Sequence, residues 1–292
     1  MAHNHNHNSG QVLGFAFALN LSFALIEFVG GWMTNSIAIL SDAVHDLGDS
    51  FALALTWYFE KKSFQQRDEN YTYGYRRWSV LAAIISSGVL LIGSTLIVVE
   101  AIPRLWQAPE VHTPGMMGLA VLGVIINGLA FFRLQAQTSP GERAVRWHLL
   151  EDILGWVAVL IGSVVMYFTD WYWLDPILSI GVALFILWGV VKNVHSFSRV
   201  LLQAVPEDVE IKPLISDIQA VPGVVKVHDL HLWTLDSNTH ILSLHVVIAN
   251  QTPASEAQEI KQLVKATISH HKIAHATLEI EFLSEECPLE NC

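Results

Sequence analysis

Apolar residues fall in six long runs, and polar positions collect between the runs and after the last. The runs extend from Gln11 to about Met33, Ile37 to Phe59, Ser79 to Ile102, Met116 to Phe132, Ala144 to Phe168 and Leu174 to Val191. As helices, these lengths match the roughly 17 to 25 residues that cross a hydrocarbon core of about 30 Å. The pattern predicts an α-helical membrane domain of six transmembrane helices over residues 11–203, behind a polar leader at 1–10 in which His3, His5 and His7 alternate with asparagine.

After Arg199 the pattern changes, and Pro206-Glu207-Asp208 opens a stretch that no longer reads as membrane. Residues 204–292 are expected to form a soluble domain. Pro206 to Ala220 reads as a capped helix, Val224 to Leu235 and His240 to Ile248 as strands joined at Asp236-Ser237-Asn238, Pro253 to His271 as a second helix, and Thr277 to Phe282 as a last strand. That α-β-β-α-β order predicts a small α+β domain with helices on one face of an open sheet, the other face suiting dimerisation.

Composition agrees with a polytopic protein: 52% of the 292 residues are hydrophobic and only 15% charged. The acidic balance, 27 Asp and Glu against 16 Lys and Arg, excludes a basic nucleic-acid surface and suits a protein that handles cations. The two cysteines, Cys287 and Cys292, stand at the end of the chain, so no disulfide framework is expected. A charged region ahead of the first apolar run is missing, so no cleaved signal peptide is expected. Lys61, Lys62, Arg67, Arg76 and Arg77 follow the second run and Arg133, Arg143 and Arg146 the fourth, whereas the loops near 35 and 171 carry no Lys or Arg and the one at 103–114 only Arg104. The bias of short cytoplasmic loops towards Lys and Arg then puts both termini in the cytoplasm.

Within this apolar framework two His-x-x-x-Asp pairs are conspicuous: His45 with Asp49 in the second run, and His148 with Asp152 in the fifth. Residues i and i+4 share a helix face one turn apart, so each pair can aim an imidazole and a carboxylate at one point. An ionisable residue inside a membrane helix costs about 2.5 to 3.5 kcal/mol on insertion scales, which four such groups do not incur without a role. Two nitrogens and two carboxylate oxygens make a tetrahedral set that suits Zn²⁺, with Co²⁺ and Cd²⁺ as competitors, whereas Mg²⁺ and Ca²⁺ prefer oxygen alone. Because histidine cannot hold a proton and a metal on the same nitrogen, metal and protons compete there, as an antiporter requires. Asp42 is a candidate to orient His45, while Asp46 and Glu151 are rotated away from the pairs and stay outside the ligand set. Asn20, Glu27, Glu100 and Asn127 read as interhelical hydrogen-bonders or helix-end residues.

Ser36-Ile-Ala-Ile-Leu-Ser-Asp42-Ala-Val-His45-Asp-Leu-Gly-Asp49, Tyr73-Gly74-Tyr75-Arg76-Arg77, His148-Leu-Leu-Glu-Asp152-Ile-Leu-Gly, Asp175-Pro176 and Val227-His228-Asp-Leu-His231-Leu-Trp233 together give the chain, from about residue 11 onward, a resemblance to the cation diffusion facilitators of the zinc type. It implies a homodimer of six-helix protomers in contact with membrane lipid, in a bacterial inner membrane or a vesicle membrane, with a metallochaperone-like cytosolic domain. It also implies His45, Asp49, His148 and Asp152 as transport ligands between the second and fifth helices, with His45 marking zinc selectivity, and protons as the counter-substrate. Some members carry a His-rich metal loop after the second helix, but Asp68-Glu69-Asn70-Tyr71-Thr72-Tyr73-Gly74-Tyr75 has tyrosines there, so no such site is expected.

Strand alternation lets His228 and His245 share a face and meet Glu281, and the resemblance implies a regulatory metal there. His231 and His240 read as surface or packing residues. Similar family members end in a Cys pair that binds zinc with leader histidines, which implies a further site from Cys287, Cys292 and one of His3, His5 or His7. No Gly-x-x-x-x-Gly-Lys loop is present, so ATP is not expected as a cofactor. Rival readings are an intramembrane zinc hydrolase with Glu151 as base, weakened by the absence of His-Glu-x-x-His, and a membrane metal sensor that signals without transport.

Overall fold

A computed structural model describes residues 6–63, 65–133, 140–236 and 238–285. Among these, six long helices precede a small α+β domain: α1 (Asn6–Thr34), α2 (Ile37–Ser63), α3 (Arg77–Arg104), α4 (Thr113–Arg133), α5 (Pro140–Thr169) and α6 (Leu174–Leu201), then α7 (Ile211–Gln219), β1 (Val224–Thr234), β2 (His240–Ile248), α8 (Ala254–Ser269) and β3 (Ile273–Phe282). Among the described residues, four segments, Arg77–Arg104, Thr113–Phe132, Leu149–Thr169 and Leu174–Leu201, are long and apolar enough to cross a membrane. In α2 the apolar run is broken by Asp42, His45, Asp46 and Asp49. The chain divides into two compact units, residues 1–59 with 82–194, and residues 60–81 with 195–292.

In the first unit the residues that pack together come from α1, α2, α4 and α5. Phe23, Ala38, Ile39, Met116, Ala120, Trp156, Val159 and Met166 form one buried cluster. Trp156 is its largest member and presses against α4 at Gly123, where an added Cβ would stand 2.3 Å from the indole. Glycine is therefore required for α4 and α5 to approach this closely. The α1–α2 contact is polar: the Asn20 amide donates to the Asp46 carbonyl at 3.1 Å and to the Ser50 hydroxyl at 3.0 Å.

The start of α2 is held from outside its own sequence. Its first four amides would be orphaned in any isolated helix, yet each has an acceptor. Ile37 N–H donates to Asp175 Oδ2 at 2.7 Å, Ala38 N–H to Asp175 Oδ1 at 3.3 Å, Ile39 N–H to the Ser36 hydroxyl at 3.2 Å and Leu40 N–H to the Ser36 carbonyl at 3.3 Å. The Ser36 hydroxyl in turn donates to Asp175 Oδ1 at 2.5 Å. Asp175 is buried and also lies in the first turn of α6, so one carboxylate faces the positive ends of two helices.

In the second unit, β1 pairs antiparallel with β2, and β2 pairs parallel with β3 after the α8 crossover. Leu242, Leu244, Val246 and Ile248 of β2 pack with Leu214 and Ile218 of α7 and with Ile260, Val264 and Ile268 of α8. Both helices thus cover one face of the sheet, as expected. Two boundaries of this unit differ from the sequence reading by more than two residues. Pro206 to Glu210 precedes the helix rather than starting it, because Pro206 accepts a turn hydrogen bond from Val209 and the N-cap is Glu210, which makes no side-chain cap. The last strand begins at Ile273, four residues before Thr277, because β2 offers it pairing partners from His240 onward.

The segment between α2 and α3 belongs to this unit. Asp68 organises it, accepting from Asn70 N–H at 2.9 Å, Tyr71 N–H at 2.7 Å and the Tyr75 hydroxyl at 2.5 Å. The Tyr75 hydroxyl, then the Tyr71 amide, hold the Asp68 carboxyl below its usual range. Arg76 reaches the β1–β2 connection, donating to Asp236 Oδ2 at 3.3 Å and Thr239 Oγ1 at 2.9 Å, and Tyr73 meets His275 of β3 edge-on.

Candidate metal sites

On α2, His45 Nε2 stands 3.8 Å from Asp49 Oδ2, and both side chains are partly buried. Stepping back along the same face from His45 leads through Asp42 to Ala38, which belongs to the shared core. On α5, Asp152 precedes the core residue Trp156 by one turn and is partly buried, and Glu151 beside it is exposed. His45 thus stands two turns, and Asp152 one turn, from a residue of the common cluster. The side chain of His148 lies outside the described residues, as do those of His3, His5 and His7 and all of Cys287 and Cys292.

Two of the four polar residues read as interhelical hydrogen-bonders or helix-end residues behave so: Asn20 bridges α1 and α2, and Glu100 pairs with Arg104 at the end of α3 at 3.2 Å. Asn127 instead donates back to the Gly123 carbonyl of its own helix at 3.2 Å. Glu27 departs from that reading: it is fully buried, and neither carboxyl oxygen meets a hydrogen-bond donor among the described residues.

On the sheet face opposite α7 and α8, the structure gathers His228, His245 and Glu281, with ligand atoms all within 4.8 Å of one another. The strands bring this about: His228 and His245 are register partners, and Glu281 pairs with Val247, two residues beyond His245 and so on the same face. His228 Nε2 is 2.8 Å and His245 Nδ1 2.6 Å from the Glu281 carboxylate, and the imidazole rings stand 5.1 Å apart. His228 Nδ1 is buried with no hydrogen-bond partner among the described residues, leaving one nitrogen for a further ligand. Two imidazoles and a carboxylate in a buried pocket fit Zn²⁺.

Two further carboxylates approach the same group. Asp229 Oδ2 and Glu279 Oε2 each lie 3.4 Å from His245 Nε2. Asp229 escaped sequence reasoning because strict alternation sends it away from His228. It sits at a break in the β1 register with φ of 46°, and that bulge turns it back. His231 is half-exposed beside Asp229 at 2.9 Å. His240 is buried against Asp208 at 3.0 Å, a packing role. Partial burial pushes the Asp208 carboxyl up, but its bonds to His240 and Lys272 outweigh this and hold it below its ordinary range.

Comparison with known proteins now identifies the architecture. Residues 13–202 match the cation efflux transmembrane domain, and residues 206–282 match the cytoplasmic domain of cation efflux proteins. The chain belongs to the cation diffusion facilitator family. It is thus a multi-helix membrane protein with a cytosolic α+β domain. It is 32% identical over 286 residues to a cadmium, cobalt and zinc/H(+)-K(+) antiporter of Bacillus subtilis, covering 96% of this chain and 92% of the relative. It is 35% identical over 288 residues to the metal cation efflux system protein CzcD of Cupriavidus metallidurans, covering 96% and 89%. With the zinc transporter ZitB of Escherichia coli it shares 31% identity over 294 residues, covering 97% and 93%. The family consists of secondary transporters, and this cation efflux protein is one of them rather than an enzyme.

Proposed function

We propose that this protein exports Zn²⁺ from the cytosol in exchange for protons, with Cd²⁺ and Co²⁺ as further cargo. The metal is held by His45 and Asp49 of α2 and by His148 and Asp152 of α5. The observation that carries this reading is the pairing of His45 with Asp49 on the α2 face whose neighbouring residues pack in one cluster with α5. Two aspartates neutralise a divalent cation, and the imidazoles complete a tetrahedral shell from which protons can displace it. The names of the similar bacterial proteins, which include zinc, cadmium and cobalt transport and proton antiport, support the cargo and the coupling.

All six helices α1 to α6 cross the membrane in this reading, α2 turning its polar face to the bundle interior, where protein replaces lipid around the carboxylates. Lys and Arg flanking the α2–α3 and α4–α5 junctions favour cytoplasmic termini, and the bacterial relatives favour a bacterial inner membrane. The domain of residues 204–292 pairs two protomers into a homodimer and holds zinc on His228, His245 and Glu281. Cys287 and Cys292, with a histidine of the leader, form a further zinc site.

Purified protein in vesicles bearing a pH gradient tests the transport claim. Zinc flux is expected to follow the gradient in the wild type and to fall to background in Asp152→Ala and His45→Ala. Flux that ignores the gradient refutes the exchange, and full flux in His45→Ala refutes the site.

A further inference from the structure

The segment between α2 and α3 walls a cavity of about 620 Å³ within the second unit. Tyr71, Tyr75, Arg76, Arg77 and Trp78 line it, and no Asp or Glu lines it among the described residues. In a chain with 27 acidic and 16 basic residues, a cavity that holds two arginines and no acid attracts anions. Arg76 is already engaged by Asp236 at 3.3 Å, whereas the exposed Arg77 meets no carboxylate among the described residues. Lys62, its Nζ 4.6 Å from the centre of the Trp78 ring, adds a third positive charge beside them. A guanidinium whose planar fork is not committed to a carboxylate suits the paired oxygens of a phosphate.

Arg77 is also the first residue of α3, and the length of that helix sets its depth. The 28 residues of α3 rise about 1.5 Å each, or about 42 Å in all. That matches a bilayer with its headgroup layers, about 40 to 45 Å, rather than the hydrocarbon core of about 30 Å. Arg77 and Trp78 therefore stand at headgroup level, where tryptophan and tyrosine are favoured. Further along α3, Leu81, Ile85, Val89, Ile92 and Leu96 are exposed and recur at helical spacing, forming one apolar stripe. Arg77 and Trp78 lie one turn before Leu81 and flank the head of that stripe. A cation at the head of an apolar track matches an amphiphile better than a free anion. A second copy of this chain fits less well, because two-fold packing of the stripe on itself brings Arg77 against its own equivalent.

We propose that this cavity binds the phosphate of an anionic glycerophospholipid. Arg77 holds the phosphate oxygens beside the aromatic walls of Tyr75 and Trp78, and an acyl chain lies on the α3 stripe. The inference goes beyond the transport reading and rests only on α3 crossing the membrane, as part of the matched transmembrane domain. The bound lipid ties the α2–α3 connection, whose Arg76 grips the β1–β2 connection, to one membrane surface.

Native mass spectrometry of the full-length protein, stripped of lipid in detergent and then given one lipid at a time, counts retained lipids and protomers together. Dioleoylphosphatidylglycerol is the probe, with dioleoylphosphatidylcholine and inorganic phosphate for comparison. One cation at a membrane surface is worth about a fivefold change in affinity, so the wild type is expected to retain phosphatidylglycerol about fivefold better than phosphatidylcholine. Arg77→Gln is expected to lose that preference and Arg77→Lys to keep most of it. Equal retention of the two lipids by the wild type overturns the proposal, as does an Arg77→Gln variant that retains phosphatidylglycerol like the wild type. Arg77→Lys behaving as Arg77→Gln assigns the effect to packing and overturns it as well. Displacement of phosphatidylglycerol by an equal concentration of inorganic phosphate marks a site for the free anion, and loss of the dimer together with the lipid assigns the stripe to a second copy; either result overturns the proposal. No zinc is present in these measurements, so failure here is distinct from failure of the transport reading.

Discussion

Asp175→Ala should destabilise the protein through a helix it does not belong to. The carboxylate accepts from Ile37 N–H, Ala38 N–H and the Ser36 hydroxyl, so its removal strands two buried amides at the start of α2 and frees a hydroxyl. Loss of an N-cap costs about 0.5 to 2 kcal/mol, and each buried group left unsatisfied costs about 1 to 3 kcal/mol. Against this, the burial cost of the carboxylate disappears with it. A net loss of about 3 kcal/mol follows, or about 6 to 12 °C in melting temperature at about 2 to 4 °C per kcal/mol for a domain of this size. Tryptophan fluorescence of purified protein during heating reads this shift. Asp175→Asn keeps one acceptor oxygen and should fall about halfway, with Ser36→Ala also milder than Asp175→Ala because the two direct amide bonds remain. A melting temperature within about 2 °C of wild type for Asp175→Ala would refute the capping account. Because α2 carries His45 and Asp49, zinc flux should fall in parallel at temperatures where both proteins are folded.

Other outcomes follow from the same geometry. Gly123→Ala drives a methyl to 2.3 Å from the Trp156 indole, and overpacking of about 1 to 3 kcal/mol should lower both melting temperature and flux. Glu281→Ala should remove one equivalent of tightly bound zinc, counted by metal analysis after dialysis, while circular dichroism stays unchanged because Glu281 lies off the hydrophobic cluster. Asp68 is held below its ordinary range by Tyr75 and Tyr71, so its folded-state value is depressed relative to the unfolded chain. Its contribution to the loop is therefore present above the ordinary carboxylate range and lost as pH falls through the depressed value. Amide exchange at Asn70 and Tyr71, corrected for intrinsic rates, should speed up across that acidic window. Asp68→Asn should lack this pH step.

The large architecture was legible because the signals that carry it are local. Apolar runs marked all six long helices, and β2 begins and ends where alternation of His240 to Ile248 placed it. The clustering of His228, His245 and Glu281 was readable because strand periodicity puts all three on one face. What escaped depends on partners distant in sequence. Asp175 read only as part of an Asp-Pro motif, since its acceptor role needs α2 brought back across 138 residues. Glu27 read as one more helix-contact residue, because being unsatisfied is a property of its surroundings. Asp229 was hidden by a bulge that periodicity cannot foresee, and the start of α7 by an acidic Pro206-Glu207-Asp208 that resembles a cap and forms a turn instead.

The cytosolic sheet keeps two kinds of chemistry on opposite sides of one layer. Leu242, Leu244, Val246 and Ile248 face the helices and build the fold, while His245, with His228 and Glu281, faces away. Because neighbouring side chains in a strand point to opposite faces, a ligand can be exchanged without disturbing the residues that hold the domain together. In the proposed zinc site, substitutions that tune metal affinity would therefore leave the hydrophobic cluster of the domain intact.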